Sequence, residues 1–160
     1  MKYIGLGLIL LGAYLLMRRG RLKLEEEVGF IEEMASLFGH IKRRVSAYFE
    51  SPREWAASYE AKDGEIAIAL SEIRDGASPS NALYNAVKSR KIQHGSYEVL
   101  HECISMLGRD DLSVERESIS KASERLSLLA RTEREQATET SRVRSVLFVF
   151  VSLGALIILI

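Results

Sequence analysis

A thiol near an imidazole is the minimal nucleophile-and-base pair, and His101 and Cys103 bring the two types closest together in this chain. Their spacing defeats the chemistry. Two residues apart on a helix, they point about 200° away from each other and cannot act on one atom. His40, His94 and His101 show neither H-E-x-x-H nor another metal-ligand spacing, so each reads as a partly exposed helix residue. No G-x-x-x-x-G-K-[ST] loop is present to cradle a nucleotide, and Gly5-x-Gly7 lies inside an apolar run. Glu25 to Glu27, Glu32 and Glu33 read as a solvated helix face. Asp110-Asp111 suits the cap of a following helix better than a metal site. Trp55 belongs to a core, with a partner-facing role as the alternative. The sequence therefore predicts no catalytic centre, no metal and no cofactor.

The composition bounds the class. Lys plus Arg and Asp plus Glu each number 22, so no basic field invites nucleic acid. One cysteine excludes an internal disulfide and fits a reducing cytoplasm. Two prolines, with glycines mostly outside the amphipathic runs, favour helix. About 120 central residues are enough for one core but not for two domains.

The two ends differ sharply from that middle. Tyr3 to Met17 carry no charge and run into Arg18, Arg19, Arg21 and Lys23. Val143 to Ile160 are broken only by Arg144 and follow Arg131, Arg134 and Arg142. At 1.5 Å per residue the second run spans roughly 27 Å, against a hydrocarbon core of about 30 Å. The first is shorter, roughly 25 Å from Met1, and would thin the bilayer or let Lys2 and Arg18 snorkel. No small-residue cleavage site follows it, so it reads as an uncleaved anchor rather than a signal peptide. Arg18, Arg19, Arg21, Lys23, Arg142 and Arg144 all flank the middle region, which the positive-inside bias places in the cytoplasm with both termini outside. Gly5 and Gly12 read either as ordinary transmembrane glycines or as a helix-packing stripe.

Between the ends the helical period is clear. Val28, Ile31, Met34 or Ala35, Phe38, Ile41, Val45 and Tyr48 or Phe49 mark one face of a helix of about 25 residues. Ser51-Pro52-Arg53-Glu54 is a capping box with proline at the first helical position. Ile66 to Ile73 forms a short helix between Asp63-Gly64 and Asp75-Gly76. Ser78-Pro79 starts another, carrying Leu83 and Val87. His94-Gly95-Ser96 reads as a turn, followed by a stripe of Tyr97, Leu100, Ile104 and Leu107. From Leu112 to Leu153 neither glycine nor proline interrupts the chain. One helix should carry Ile119, Ala122, Leu126 and Leu129, pass a charged stretch from Arg131 to Arg142, and enter the membrane as a rigid connection. The expected fold class is all-α: an antiparallel bundle of about six helices, flanked by N- and C-terminal transmembrane helices, the last helix continuous into the membrane. The expected division is an anchor over 1–19, a cytoplasmic helical domain over 20–142 and a transmembrane helix over 143–160.

The order of these parts resembles the stage III sporulation protein AB family of endospore-forming bacteria. It runs from the anchor and the helical domain through Leu107-Gly108-x-x-Asp111, a long charged helix and a terminal apolar run. The resemblance covers essentially the whole chain and is firmest from Tyr97 to Ile160, with Glu115 standing where the family's glutamine is expected. It implies a role rather than a reaction. The chain would be a platform subunit of a channel-like complex in the mother-cell membrane around the forespore. Its domain would resemble the cytoplasmic domains of the platform proteins of type II secretion and type IV pilus systems. The implied partners are the bilayer, a separate cytoplasmic ATPase of the same operon, other subunits of the complex and further copies of the chain.

If the proximal end of the bundle faces lipid, the expected partner surface is the distal end: Asp63, Asp75, Arg109, Asp110 and Asp111 with their loops. Two alternatives remain at this level. One is a two-pass adaptor or scaffold unrelated to secretion. The other is a membrane-tethered enzyme, which would need a buried polar cluster that the sequence does not show.

Overall fold

The computed structural model describes residues 2–90, 92, 94–107 and 112–159; the side chains of residues 2–10, 13, 16, 17, 21, 94, 112–115 and 153–159 are outside that description. Six helices run through the described residues, and no strand occurs among them. They are α1 (Lys2–Tyr48), α2 (Pro52–Ala57), α3 (Gly64–Arg74), α4 (Pro79–Arg90), α5 (His94–Ser105) and α6 (Leu112–Leu159).

The first difference from expectation is α1, a single helix of 47 residues in place of an anchor followed by a separate amphipathic helix. The physical reason is that only Gly20 weakens the stretch from Met17 to Glu25. One glycine costs about 1 kcal/mol, while the arginines, lysine and leucines around it are good helix formers. The helix ends at Phe49, whose φ of 55° lies in the left-handed region. Its N–H donates to the Val45 carbonyl at 3.3 Å. Tyr48 and Phe49, predicted for the buried stripe, are exposed instead, because the chain leaves the helix there.

The short helices start and stop where their side chains dictate. Glu54 accepts from the Ser51 N–H at 2.7 Å and from the Ser51 hydroxyl at 2.8 Å. The glutamate half of the capping box is thus present, with the hydroxyl turned to the carboxylate. Asp63 Oδ1 accepts from the N–H groups of Glu65 and Ile66 at 2.8 and 3.4 Å and caps α3. Gly76, at φ 104°, takes the left-handed position after α3, where a side chain would be strained. Helix α5 begins at His94, so Gly95 and Ser96 lie in its first turn and not in a loop.

The chain divides into two compact units, Met1–Val28 with Glu133–Ile160, and Gly29–Thr132. The larger unit is a bundle in which α2 packs on α3, α3 on α4 and α4 on α5. Within it, α1 buries Ile31, Met34, Ala35, Phe38, Ile41 and Val45 as the period predicts, and also Phe30 and Leu37. Those positions form one broad face of about 160°, with Phe30 and Leu37 at its edge. Opposite it, α6 buries Ile119, Ala122, Leu126 and Ala130. Its direction is antiparallel to α1: Phe49 meets Arg116, while a Cβ at Gly39 would lie 3.9 Å from Ser123 Oγ. Each large apolar side chain fully buried here contributes roughly 1.5–3 kcal/mol.

The smaller unit is an antiparallel pair of helical segments from α1 and α6. The rings of Tyr14 and Phe148 lie 6.2 Å apart. A Cβ at Gly20 would stand 3.1 Å from Arg144 Nη1.

Candidate functional site

Asp63, expected on a partner-facing loop, is built into the bundle. One of its carboxylate oxygens caps α3 and the other pairs with Arg90 at the end of α4. Glu33 on α1 holds the same loop from below. Its carboxylate accepts from the Lys62 N–H at 2.5 Å and from the Asp63 N–H at 2.8 Å. The Tyr59 hydroxyl donates to the Glu33 carbonyl at 3.5 Å, and the Arg90 guanidinium lies 5.6 Å from the Phe30 ring centroid. Glu33 is therefore not the solvated face residue its sequence context suggests. It joins α1 to the α2–α3 loop, and hydrogen bonds to a charged group of this kind contribute about 1.5–3 kcal/mol each. Sequence reasoning missed both Glu33 and Arg90, because no local pattern marks a partner 29 or 27 residues away. Asp75 stays exposed at the C-cap of α3, its N–H donating to Ser71 at 3.0 Å.

A second polar group contains the serine–histidine pair of the larger unit. His40 Nε2 lies 3.0 Å from Ser58 Oγ, beside Arg44 Nε at 3.3 Å from the same oxygen. The Ser58 hydroxyl has one hydrogen, and it donates to the Trp55 carbonyl at 3.0 Å. Ser58 is then an acceptor toward both His40 and Arg44, so His40 does not act as a base for it. Partial burial, and next the Arg44 charge, hold the His40 pKa below its ordinary value. This geometry orders the α2 turn against α1; it does not activate a nucleophile.

The His101–Cys103 pair diverges as its spacing requires. Cys103 is fully buried, and burial pushes its thiol up to about 11. His101 is exposed on the other side of α5, its ring 5.1 Å from Tyr84 and 6.2 Å from Tyr97. The Tyr97 hydroxyl donates to the Tyr84 hydroxyl at 2.8 Å. Trp55 is only 2% exposed and belongs to the core, which removes its partner-facing alternative. Among the described residues no group of three His, Cys, Asp or Glu is placed to hold a metal.

The most exposed apolar surface belongs to the smaller unit. Val146, Leu147, Val149, Phe150 and Val151 on α6 are all exposed, Phe150 by 67%. At 100° per residue these five positions cover about 200° of the helix, leaving free the side on which Phe148 meets Tyr14. Leu11, Tyr14 and Leu15 on α1 are exposed likewise. Among the described residues a Cβ at Gly12 would meet nothing within 4 Å. Of the flanking cations, Arg18, Arg19, Lys23 and Arg142 are exposed and Arg144 is half-buried, while the Arg21 side chain falls outside the description. Among the described residues no helix is long and apolar enough to cross a membrane. The side chains of residues 2–10 and 153–159, within the two apolar runs, lie outside the described residues, as do Arg109, Asp110 and Asp111.

The chain matches no protein-family model, no curated protein and no solved structure.

Proposed function

We propose that the protein is a membrane-anchored, non-enzymatic assembly subunit, held in the cell membrane through both apolar ends with its helical bundle in the cytoplasm. One observation carries this reading: the smaller unit exposes Leu11 and Leu15 on one side of α1, and Leu147, Phe150 and their neighbours over about half of the circumference of α6. A helix apolar on all sides is stable in a large core or in lipid, and the segment from Val146 to Val151 has no such core around it. The basic flanks on both segments set the orientation. The resemblance to the stage III sporulation protein AB family adds the setting, a channel-like complex between mother cell and forespore with a separate ATPase docked on the cytoplasmic side.

The test is made in membranes of cells expressing the full chain. The protein should resist carbonate extraction and release only with detergent. Cys103 is a poor topology reporter because it is buried. Ser71→Cys, on the exposed side of α3, supplies an accessible thiol instead. An impermeant maleimide should label it in lysed cells and leave it unlabelled in intact ones. Carbonate release would remove the anchor, and labelling in intact cells would reverse the topology. Co-purification with the ATPase of the same operon separates the sporulation setting from a scaffold unrelated to secretion.

A further inference from the structure

The hairpin of the smaller unit gathers positive charge next to its apolar segments, and its glutamates, Glu25 to Glu27, Glu133, Glu135 and Glu139, lie beyond that charge in sequence. Residues 1–24 and 140–160 contain no aspartate or glutamate, yet they hold Arg18, Arg19, Arg21, Lys23, Arg142 and Arg144. The two helices bring part of this set to one place. Arg144 reaches from α6 onto the backbone of α1 at Gly20, with Nη1 3.1 Å from where a Cβ would stand. On α1, Lys23 lies one turn from Gly20 on the same face, and Arg19 lies one turn before Lys23. At such spacings Cβ atoms are about 5–6 Å apart, close enough for like charges to repel. Arg19 and Lys23 are exposed, so the cluster opens to its surroundings. Toward the chain ends, about 9 Å along the helix, Tyr14 and Phe148 form an aromatic pair. Aromatic side chains in that position suit the boundary between headgroups and hydrocarbon.

We infer that Arg19, Lys23 and Arg144 form a phosphate-binding site for the headgroup of an anionic phospholipid, and that Gly20 is the positioning residue that lets Arg144 lie across α1. The inference rests on the membrane reading above. Its chemistry is that of a phosphodiester: the guanidinium forks of Arg19 and Arg144 donate to the phosphate oxygens and Lys23 supplies a point charge. A bound anion at that place offsets the repulsion among the three cations. Glycine suits position 20 because a Cβ there would stand 3.1 Å from Arg144 Nη1, so a larger side chain would push the guanidinium aside.

Gly20 makes the inference testable without altering charge. The full chain in dodecyl maltoside is titrated with phosphatidylglycerol or phosphatidylcholine, and bound lipid is counted by native mass spectrometry. The wild type should retain phosphatidylglycerol in preference. Arg144→Gln should weaken that retention about fivefold, the value of one cation near an anionic surface. Gly20→Leu should weaken it comparably while keeping helicity, leucine being the better helix former. Arg142→Gln should change it less. Phosphatidylglycerol retention equal to wild type in both Gly20→Leu and Arg144→Gln would overturn the site. Displacement of the lipid by millimolar sn-glycerol 3-phosphate would overturn a lipid headgroup as the source and assign the site to a soluble phosphate. Flotation with pure phosphatidylcholine vesicles separates the two levels. A chain that floats there but shows no phosphatidylglycerol preference loses only this site, whereas a chain that does not float loses the membrane reading as well.

Discussion

Cys103 and His40 show how surroundings decide what a reactive group does. Burial holds the Cys103 thiol at about 11, so at pH 8 only about one molecule in a thousand carries the thiolate. Maleimide should therefore leave the native protein unmodified over hours and label it within minutes in denaturing urea. Fast native labelling would place Cys103 outside the core. For His40 the shift is downward from 6.5, through burial and the Arg44 charge. The unfolded chain then binds the proton more readily than the folded one. The stabilising contribution is fully present above pH 6.5 and declines as the pH falls below it. Urea midpoints should drop between pH 7.5 and pH 5, and the drop should be smaller in His40→Asn. An equal drop in that variant would assign the effect to other groups. The divergence of His101 from Cys103 is legible in the sequence because it needs only the helical period. The approach of His40 to Ser58 is not, because it depends on α2 turning back onto α1 across 18 residues.

At the scale of the helices, α6 offers a matched pair of positions. Leu126 is fully buried, and Leu128 is 65% exposed. Leu126→Ala should cost about 2–5 kcal/mol in chemical denaturation, and Leu128→Ala less than about 0.5 kcal/mol. Similar losses at both sites would mean that α6 does not present the face described here. Asp63→Ala removes a helix cap, which costs about 1 kcal/mol, and leaves Arg90 without its carboxylate, so a total near 2 kcal/mol is expected from urea titration. A cost below 0.5 kcal/mol would make Asp63 a surface residue after all. The stripe on α6 and the stop at Asp75-Gly76 were readable, since each is local in sequence. Asp63, by contrast, reads there as a chain break and a partner-facing loop residue, and caps α3 in the structure. The burial of Phe30 and Leu37 on α1 was not readable, because they sit at the edge of its stripe and only the neighbouring helices decide how wide the buried face becomes. The exposure of Phe49 was also hidden, because nothing in its residue type announces a left-handed backbone.

For the whole molecule, the apolar ends and the helical middle are plain from the order of residues. The division at Val28 and Thr132 is not, because α1 and α6 pass these points without a break in the helix, Gly29 included. A fragment of residues 20–140 contains the complete larger unit and should be a helical, monodisperse protein without detergent, with cooperative urea unfolding. Aggregation of that fragment under conditions that keep the full chain dispersed in detergent would show that the bundle depends on the apolar ends. The ring contact between Tyr14 and Phe148 bears on time as well as on structure. Roughly 130 residues of chain separate these two rings, and closing a flexible loop of that length costs about 4 kcal/mol in chain entropy. The hairpin is therefore poorly placed to form early from a flexible chain. Compaction of the intervening residues shortens the loop that it must close, so the bundle should acquire its structure first and the pairing of the two apolar ends should be a late event in folding.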